Sequence, residues 1–174
     1  QSELGAAYVQ RLREQYPDMP GRADYCVYWF RRAHDELSAG GRAGLVGTNT
    51  IRQNYSREGG LDYIVANGGT IVESVSTQVW SGEAQVHVSI VNWVKAAAQG
   101  KKLLMWQEGD ALDSPWRKEL LHEINSALSI NPDLTAACAL LTNSASGACY
   151  QGQTHGHEGF LLGPSEAIEM IKVS

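Results

Sequence analysis

No stretch of this 174-residue sequence approaches the ~20 consecutive apolar residues that a bilayer-spanning helix needs, which excludes such a helix. Cysteine is scarce. Cys26, Cys138 and Cys149 are odd in number, widely spaced and form no CxxC pair. That pattern fits reduced thiols in a cytoplasmic protein better than a disulfide scaffold. Positive charge is also short, with 14 Lys and Arg against 19 Asp and Glu for a net −5. The deficit is uneven, since residues 1–60 carry a net +1 and residues 61–174 a net −6. A free-standing nucleic-acid module is usually basic, so a DNA partner would draw most of its phosphate contacts from elsewhere in a larger protein. No internal repeat, low-complexity tract or evident linker appears, and the opening residues do not read as a secretory leader. The first residue is Gln, and helical periodicity follows almost at once, so the chain is expected to be an excised or processed piece. Hydrophobic content of 43% with 19% charged residues is ordinary for a globular chain of one domain, or one domain and part of another.

What is present centres on residues 42–93, which parse as strand, helix, strand, polar loop, strand. Ala43–Gly47 is a short apolar run ending in Thr48-Asn49-Thr50. It reads as a strand that delivers hydrogen-bonding side chains at its C-terminal end. Ser56 is the expected N-cap of a helix whose stripe is Leu61, Ile64 and Val65, with Gly68-Gly69 as its stop. Thr70–Val79 and Gln85–Trp93 are rich in Val, Ile, Thr and Ser and read as an antiparallel pair joined by a loop that opens with Trp80. Parallel sheets gather ligands at the C-terminal ends of their strands, which singles out Thr48, Asn49 and Trp80.

Either side of this unit the signals are simpler. Ala6–Tyr16 and Arg22–Leu37 read as amphipathic helices, the second with Asp24 at its start and Gly40-Gly41 at its end. Tyr25, Tyr28 and Trp29 are expected to pack, and Arg31 and Arg32 to form a solvated face. Lys101–Gln107 reads as a strand antiparallel to its predecessor. Ser114-Pro115 looks like a helix start, Ser as N-cap and Pro at the first helical position, with the helix running to about Leu128. Asn131-Pro132-Asp133 reads as a turn, Ala137–Leu141 as a possible strand, and Pro164 to about Lys172 as a last helix.

The segments GLVGTNTIRQ, STQVW and VHVSIVNW, with ADYCVYWFRRAHDEL before them and ACYQGQTHGHEGFLL after, carry a family resemblance. Together they resemble the second half of a class I, S-adenosylmethionine-dependent DNA methyltransferase. The likeness is to adenine-specific enzymes of restriction-modification systems, including the fused MmeI-like type. It implies an α/β fold, a partial Rossmann-like sheet made of the later strands, the last pair antiparallel, with flanking helices. It assigns residues 1–95 to the C-terminal half of the catalytic domain and 96–174 to the segments leading into target recognition.

The resemblance also says what is missing. Gly40-Gly41-Arg42-Ala43-Gly44 precedes a strand, whereas a cofactor loop follows one, and Asn131-Pro132-Asp133 lacks the second Pro and the aromatic of the family's catalytic loop. The expectation is therefore S-adenosylmethionine in the intact enzyme but not in this piece alone. The catalytic loop is expected upstream, in the other half of the same domain, and double-stranded DNA is the expected partner of the whole. The alternative is a non-catalytic DNA-recognition or assembly module without a cofactor site of its own.

Among the residues present, Trp80 matches the aromatic that stacks on a flipped base in similar enzymes; the competing role is an edge of the core. Asn49, with Thr48 or Thr50, faces the same crevice in that likeness and either contacts substrate or caps the next helix. Arg52 and Arg57 either meet phosphate or form solvated surface. Gln151, Gln153, Thr154 and His155 have side chains able to read base edges. His155-Gly156-His157-Glu158 lacks a second ligand cluster at recognisable spacing, so no metal is assigned to it.

Overall fold

The segment VHVSIVNW becomes an interior strand of a sheet. In the computed structural model, which describes residues 5–82, 84, 86–132 and 137, His87–Val94 forms β3 and is paired on both sides. The other strands are β1 (Arg42–Thr48), β2 (Thr70–Val79), β4 (Lys102–Gln107) and β5 (Trp116–Leu121), and the spatial order is β1-β3-β2-β4-β5. Three of the four pairings are antiparallel, and only β2 with β4 is parallel. All the described residues except Ala137 fall within the unit Gln1–Thr135. The fold is thus mixed α/β, an open sheet flanked by helices.

Two helices precede the sheet, α1 (Ala6–Gln15) and α2 (Tyr25–Glu36). After β1 the chain makes a 3-10 turn, Asn49–Arg52, then a helical run composed of α3 (Asn54–Arg57), a π turn (Glu58–Asp62) and α4 (Tyr63–Ala66). Val27 and Phe30 of α2 meet Leu61, Ile64, Trp93 and Leu104 in the core, where Phe30 stacks on Trp93 with ring centroids 5.8 Å apart. Gly47 of β1 lies under Phe30; a Cβ there would sit 3.0 Å from the ring. Gly68, at φ 84°, ends α4, and the Gly69 N–H donates to the Ile64 carbonyl at 2.8 Å. Only glycine takes that backbone conformation without cost, so the expected stop is met.

Five expectations are overturned in whole or in part. Lys102–Gln107 does not pair with β3; both edges of β3 are taken by β1 and β2, so β4 joins β2 in parallel instead. The expected helix from Ser114 is replaced by β5, antiparallel to β4. The cap signal at Ser114-Pro115 is used to close a hairpin: the Pro115 carbonyl accepts the Glu108 N–H, and Ser114 Oγ accepts the Ala111 N–H. Ser56 is not an N-cap, because the helical run starts two residues earlier and buried Ser56 Oγ accepts the Asp24 N–H at 3.0 Å. Arg31 is not solvated. It is 7% exposed, bonded to Asp18 at 2.6 Å, and lies 3.2 Å over the Tyr63 ring. Arg32 does stay in water, paired with Glu36. Of the three aromatics expected to pack, Tyr28 reaches the core, while Tyr25 and Trp29 are exposed. The sequence elements placed on 138–174 lie outside the described residues.

Candidate nucleic-acid interface

Strand direction gathers the site. β1 and β2 both run opposite to β3, β4 runs with β2, and β5 runs against β4. The C-terminal ends of β1, β2 and β4 and the starts of β3 and β5 therefore share one edge of the sheet. Thr48, Trp80, Gln107, His87 and Trp116 occupy it.

At the β1 end a polar cluster forms around Asp24. Its Oδ2 accepts from Thr48 Oγ1 at 2.9 Å and from Thr50 Oγ1 in a shorter contact, and Cys26 Sγ lies 3.6 Å from Thr48 Oγ1. Asp24 stands at the N-cap position of α2 but makes no side-chain cap bond there. Its carboxylate ties helix to strand end instead. Asn49 turns inward: Oδ1 accepts from Arg52 Nε at 2.8 Å and faces Ser89 Oγ at 3.2 Å. Ser89 has one hydroxyl proton, and the shorter contact, 2.7 Å, is to the Ser76 carbonyl. Asn49 Oδ1 is thus taken up by Arg52 within the 3-10 turn. Arg52 is half-buried, and that burial lowers its pKa, although a guanidinium stays charged at any ordinary pH. Arg57 Nε lies 3.4 Å from Asp62 Oδ2.

At the β2 end Trp80 leaves the sheet, 40% exposed, its backbone N–H donating to the Val86 carbonyl at 2.9 Å. The indole folds back over Gly82, so closely that any Cβ there would collide with Nε1. Gln107, only 5% exposed, sits beside it and accepts the Val79 N–H at 3.0 Å. On the far side, Trp116 is 51% exposed at the start of β5. Sequence reading passed over Gln107 and used Asp24 only as a cap. The legible signal for Gln107 was a polar residue closing the apolar run KLLMW.

The glycine pair before β1 lies at the other end of that strand. Gly40 and Gly41 are spent on the α2–β1 turn, Gly40 at φ 79° with its N–H on the Lys95 carbonyl, and Gly41 closed in by Ser38 and Leu37. Among the described residues no group of three or more His, Cys, Asp and Glu is arranged to hold a metal, and no helix is long and apolar enough to cross a membrane. A groove of about 630 Å³ lined by Val65, Leu121, Ser126 and Ile130 lies at the opposite end of β5 from Trp116, away from this edge. Gln151, Gln153, Thr154 and His155 are outside the described residues.

No family model and no curated protein matches the chain. Among solved structures, that of the Type IIL restriction-modification enzyme MmeI in complex with DNA is similar, with a TM-score of 0.61 and 19% sequence identity. The two share a fold. The likeness covers 74% of this chain but 18% of the neighbour, so the chain corresponds to under a fifth of that enzyme's length.

Proposed function

We propose that this chain is part of an adenine-specific DNA methyltransferase of the restriction-modification type, comprising the later strands of the catalytic domain and the approach to target recognition. The observation that carries the reading is Trp80. A large aromatic, exposed at the edge where three strand ends converge beside a Thr–Asp cluster, offers a π face to a planar ligand. The fold shared with a restriction-modification enzyme supports the same reading.

In this reading the substrate is double-stranded DNA, and the target adenine leaves the stack to lie against Trp80. Thr48 and Thr50 line the pocket, and Asn49 shapes it indirectly by bracing the turn that carries Arg52. Arg52 and Arg57 serve nearby phosphates, while Gln151, Gln153, Thr154 and His155 contribute to recognition. S-adenosylmethionine and the groups that polarise the adenine amine belong to an upstream half of the domain, which joins at the free edge of β1. The cytoplasm is the corresponding place of action. When bound, the cofactor supplies the methyl group. What this chain supplies is a stacking surface and a framework that holds it.

The test is methyl transfer by the intact protein. DNA incubated with isotopically labelled S-adenosylmethionine and digested to nucleosides is expected to contain labelled N6-methyladenine. DNA that is bound but never methylated would favour the non-catalytic recognition module. Label on cytosine would keep the enzyme but overturn the base assignment.

A further inference from the structure

Gln107 is the most heavily bonded buried side chain on the candidate edge. Its Oε1 accepts the Val79 N–H at 3.0 Å, and its Nε2 faces the carbonyls of Ala111, Leu112 and Ser114 at 2.9, 2.9 and 3.2 Å. One amide therefore bonds the residue before Trp80 and also the whole turn that joins β4 to β5. The turn is closed on itself by the reciprocal bonds between Ala111 and Ser114 and by Glu108 N–H to the Pro115 carbonyl. It touches the Trp80 hairpin a second time, where Asp110 Oδ1 lies 3.2 Å from Nε2 of His87, the residue paired across from Val79. The end of β2 and the start of β3 are thus both tied to one turn from the neighbouring hairpin.

We propose that Gln107 is a positioning residue for Trp80, and that the 108–115 turn sets the orientation of the stacking indole through it. This rests on the reading of Trp80 as the face that receives the base. A buried glutamine here has a chemical reason. A primary amide accepts from the strand end on its oxygen and carries two N–H donors for the turn carbonyls, and leaving those buried partners unbonded is costly. The indole is exposed and folds over Gly82 of its own loop, so its orientation follows the backbone at its root, which Gln107 bonds at Val79.

Two substitutions separate the two functions of the amide. Gln107→Glu keeps an acceptor for the Val79 N–H but offers nothing to the three carbonyls. Asp110→Ala removes only the exposed link to His87 and leaves the core untouched. The chain is labelled with 5-fluorotryptophan, and its five tryptophan signals are assigned by single Trp→Phe changes. In Gln107→Glu the Trp80 fluorine signal is expected to move or broaden while that of core Trp93 stays. Asp110→Ala is expected to move it less. Amide exchange of the 108–114 turn should quicken about tenfold in Gln107→Glu, the size expected for loss of one net hydrogen bond. A Trp80 signal unmoved in every variant that folds overturns the proposal, and Asp110→Ala decides if Gln107→Glu does not fold.

In the intact protein, Gln107→Glu should weaken handling of the target base with the DNA-binding step unchanged. Gln107→Glu combined with Trp80→Ala should be no worse than Trp80→Ala alone. Additive losses would mean that Gln107 does not act through Trp80. If Trp80→Ala itself leaves base handling intact, the stacking role fails, while the fluorine spectra still judge the positioning claim.

Discussion

At the scale of single residues, Trp80 and His34 make opposite predictions because one is exposed and the other sealed. Replacing Trp80 with Ala in the intact protein is expected to weaken stabilisation of the extruded base about 5- to 150-fold, from roughly 1–3 kcal/mol of lost stacking. Phe should restore much of it, since a π face and not a hydrogen bond is required. Melting should hardly change, and a duplex with a mismatch opposite the target adenine should partly rescue the Ala variant because less pairing must be broken. A large fall in melting temperature would instead return the ring to the core, where such truncations cost about 3–5 kcal/mol. His34 is 1% exposed and accepts the Trp93 indole N–H on Nδ1 at 3.2 Å, with Nε2 against the Asn67 carbonyl at 3.2 Å. An indole nitrogen can only donate, so Nδ1 must stay unprotonated. Burial lowers the His34 pKa below its ordinary 6.5. The unfolded chain then binds the proton more readily, and this contribution to stability, full above pH 6.5, is lost as pH falls through the folded pKa. Thermal melts between pH 7.5 and 5, values chosen at about one unit or more either side of that ordinary pKa, should show a steeper decline for the native chain than for His34→Gln. Equal slopes would remove His34 from the account.

At the scale of elements, the helical run after β1 shows both what sequence conveys and where it stops. Leu61 and Ile64 of its stripe and its glycine stop were legible, as local consequences of a 3.6-residue period and of one residue's access to positive φ, whereas Val65, read into the same stripe, is exposed. Its interruption was not legible. The π turn Glu58–Asp62 buries Gly59 and Gly60, and a Cβ on Gly59 would collide with Met19 Sδ and approach Pro20, while one on Gly60 would sit 3.0 Å from Ile51. The extra residue lets backbone pack where no side chain fits. Gly59→Ala is therefore expected to destabilise by about 1–3 kcal/mol despite alanine's better helix propensity, measured as a lower denaturation midpoint. A rise in stability would show that Met19 yields freely. The segment 114–121 makes the converse point. A good N-cap and a proline at the first helical position both favour a helix locally, yet Ser114 and Pro115 complete a hairpin because β4 had an open edge to fill. A partner strand outweighs a cap worth about 1 kcal/mol.

At the scale of the whole molecule, β1 and β5 are the edges of the sheet, and the two predictions there concern what joins it. Under the proposed function, the upstream half of the domain pairs with β1. Adding that half to this chain should slow exchange of alternate β1 amides, Arg42–Thr48, and leave β5 amides unchanged; protection at β5 alone would place the junction on the wrong edge. Calorimetry of the isolated chain with S-adenosylmethionine should give no micromolar binding, since Gly40 and Gly41 are committed to a turn. Binding at that level would mean that a cofactor site lies within these 174 residues and would overturn the division of labour proposed here.

Local chemistry placed strands at 43–47, 70–79 and 85–93, each within two residues of β1, β2 and β3, together with the two leading helices and the polar loop that opens at Trp80, because each depends on side-chain period and turn residues within about ten positions. The rule that strand C-termini gather ligands singled out Thr48, Asn49 and Trp80, and the ends of β1 and β2 do share one edge of the sheet. Only tertiary structure decided that β4 runs beside β2, that Arg31 is a buried cation on Tyr63, and that Gln107 joins two hairpins. Each of those outcomes depends on a partner tens of residues away, and a side chain's bonding capacity does not say where in the chain that partner lies.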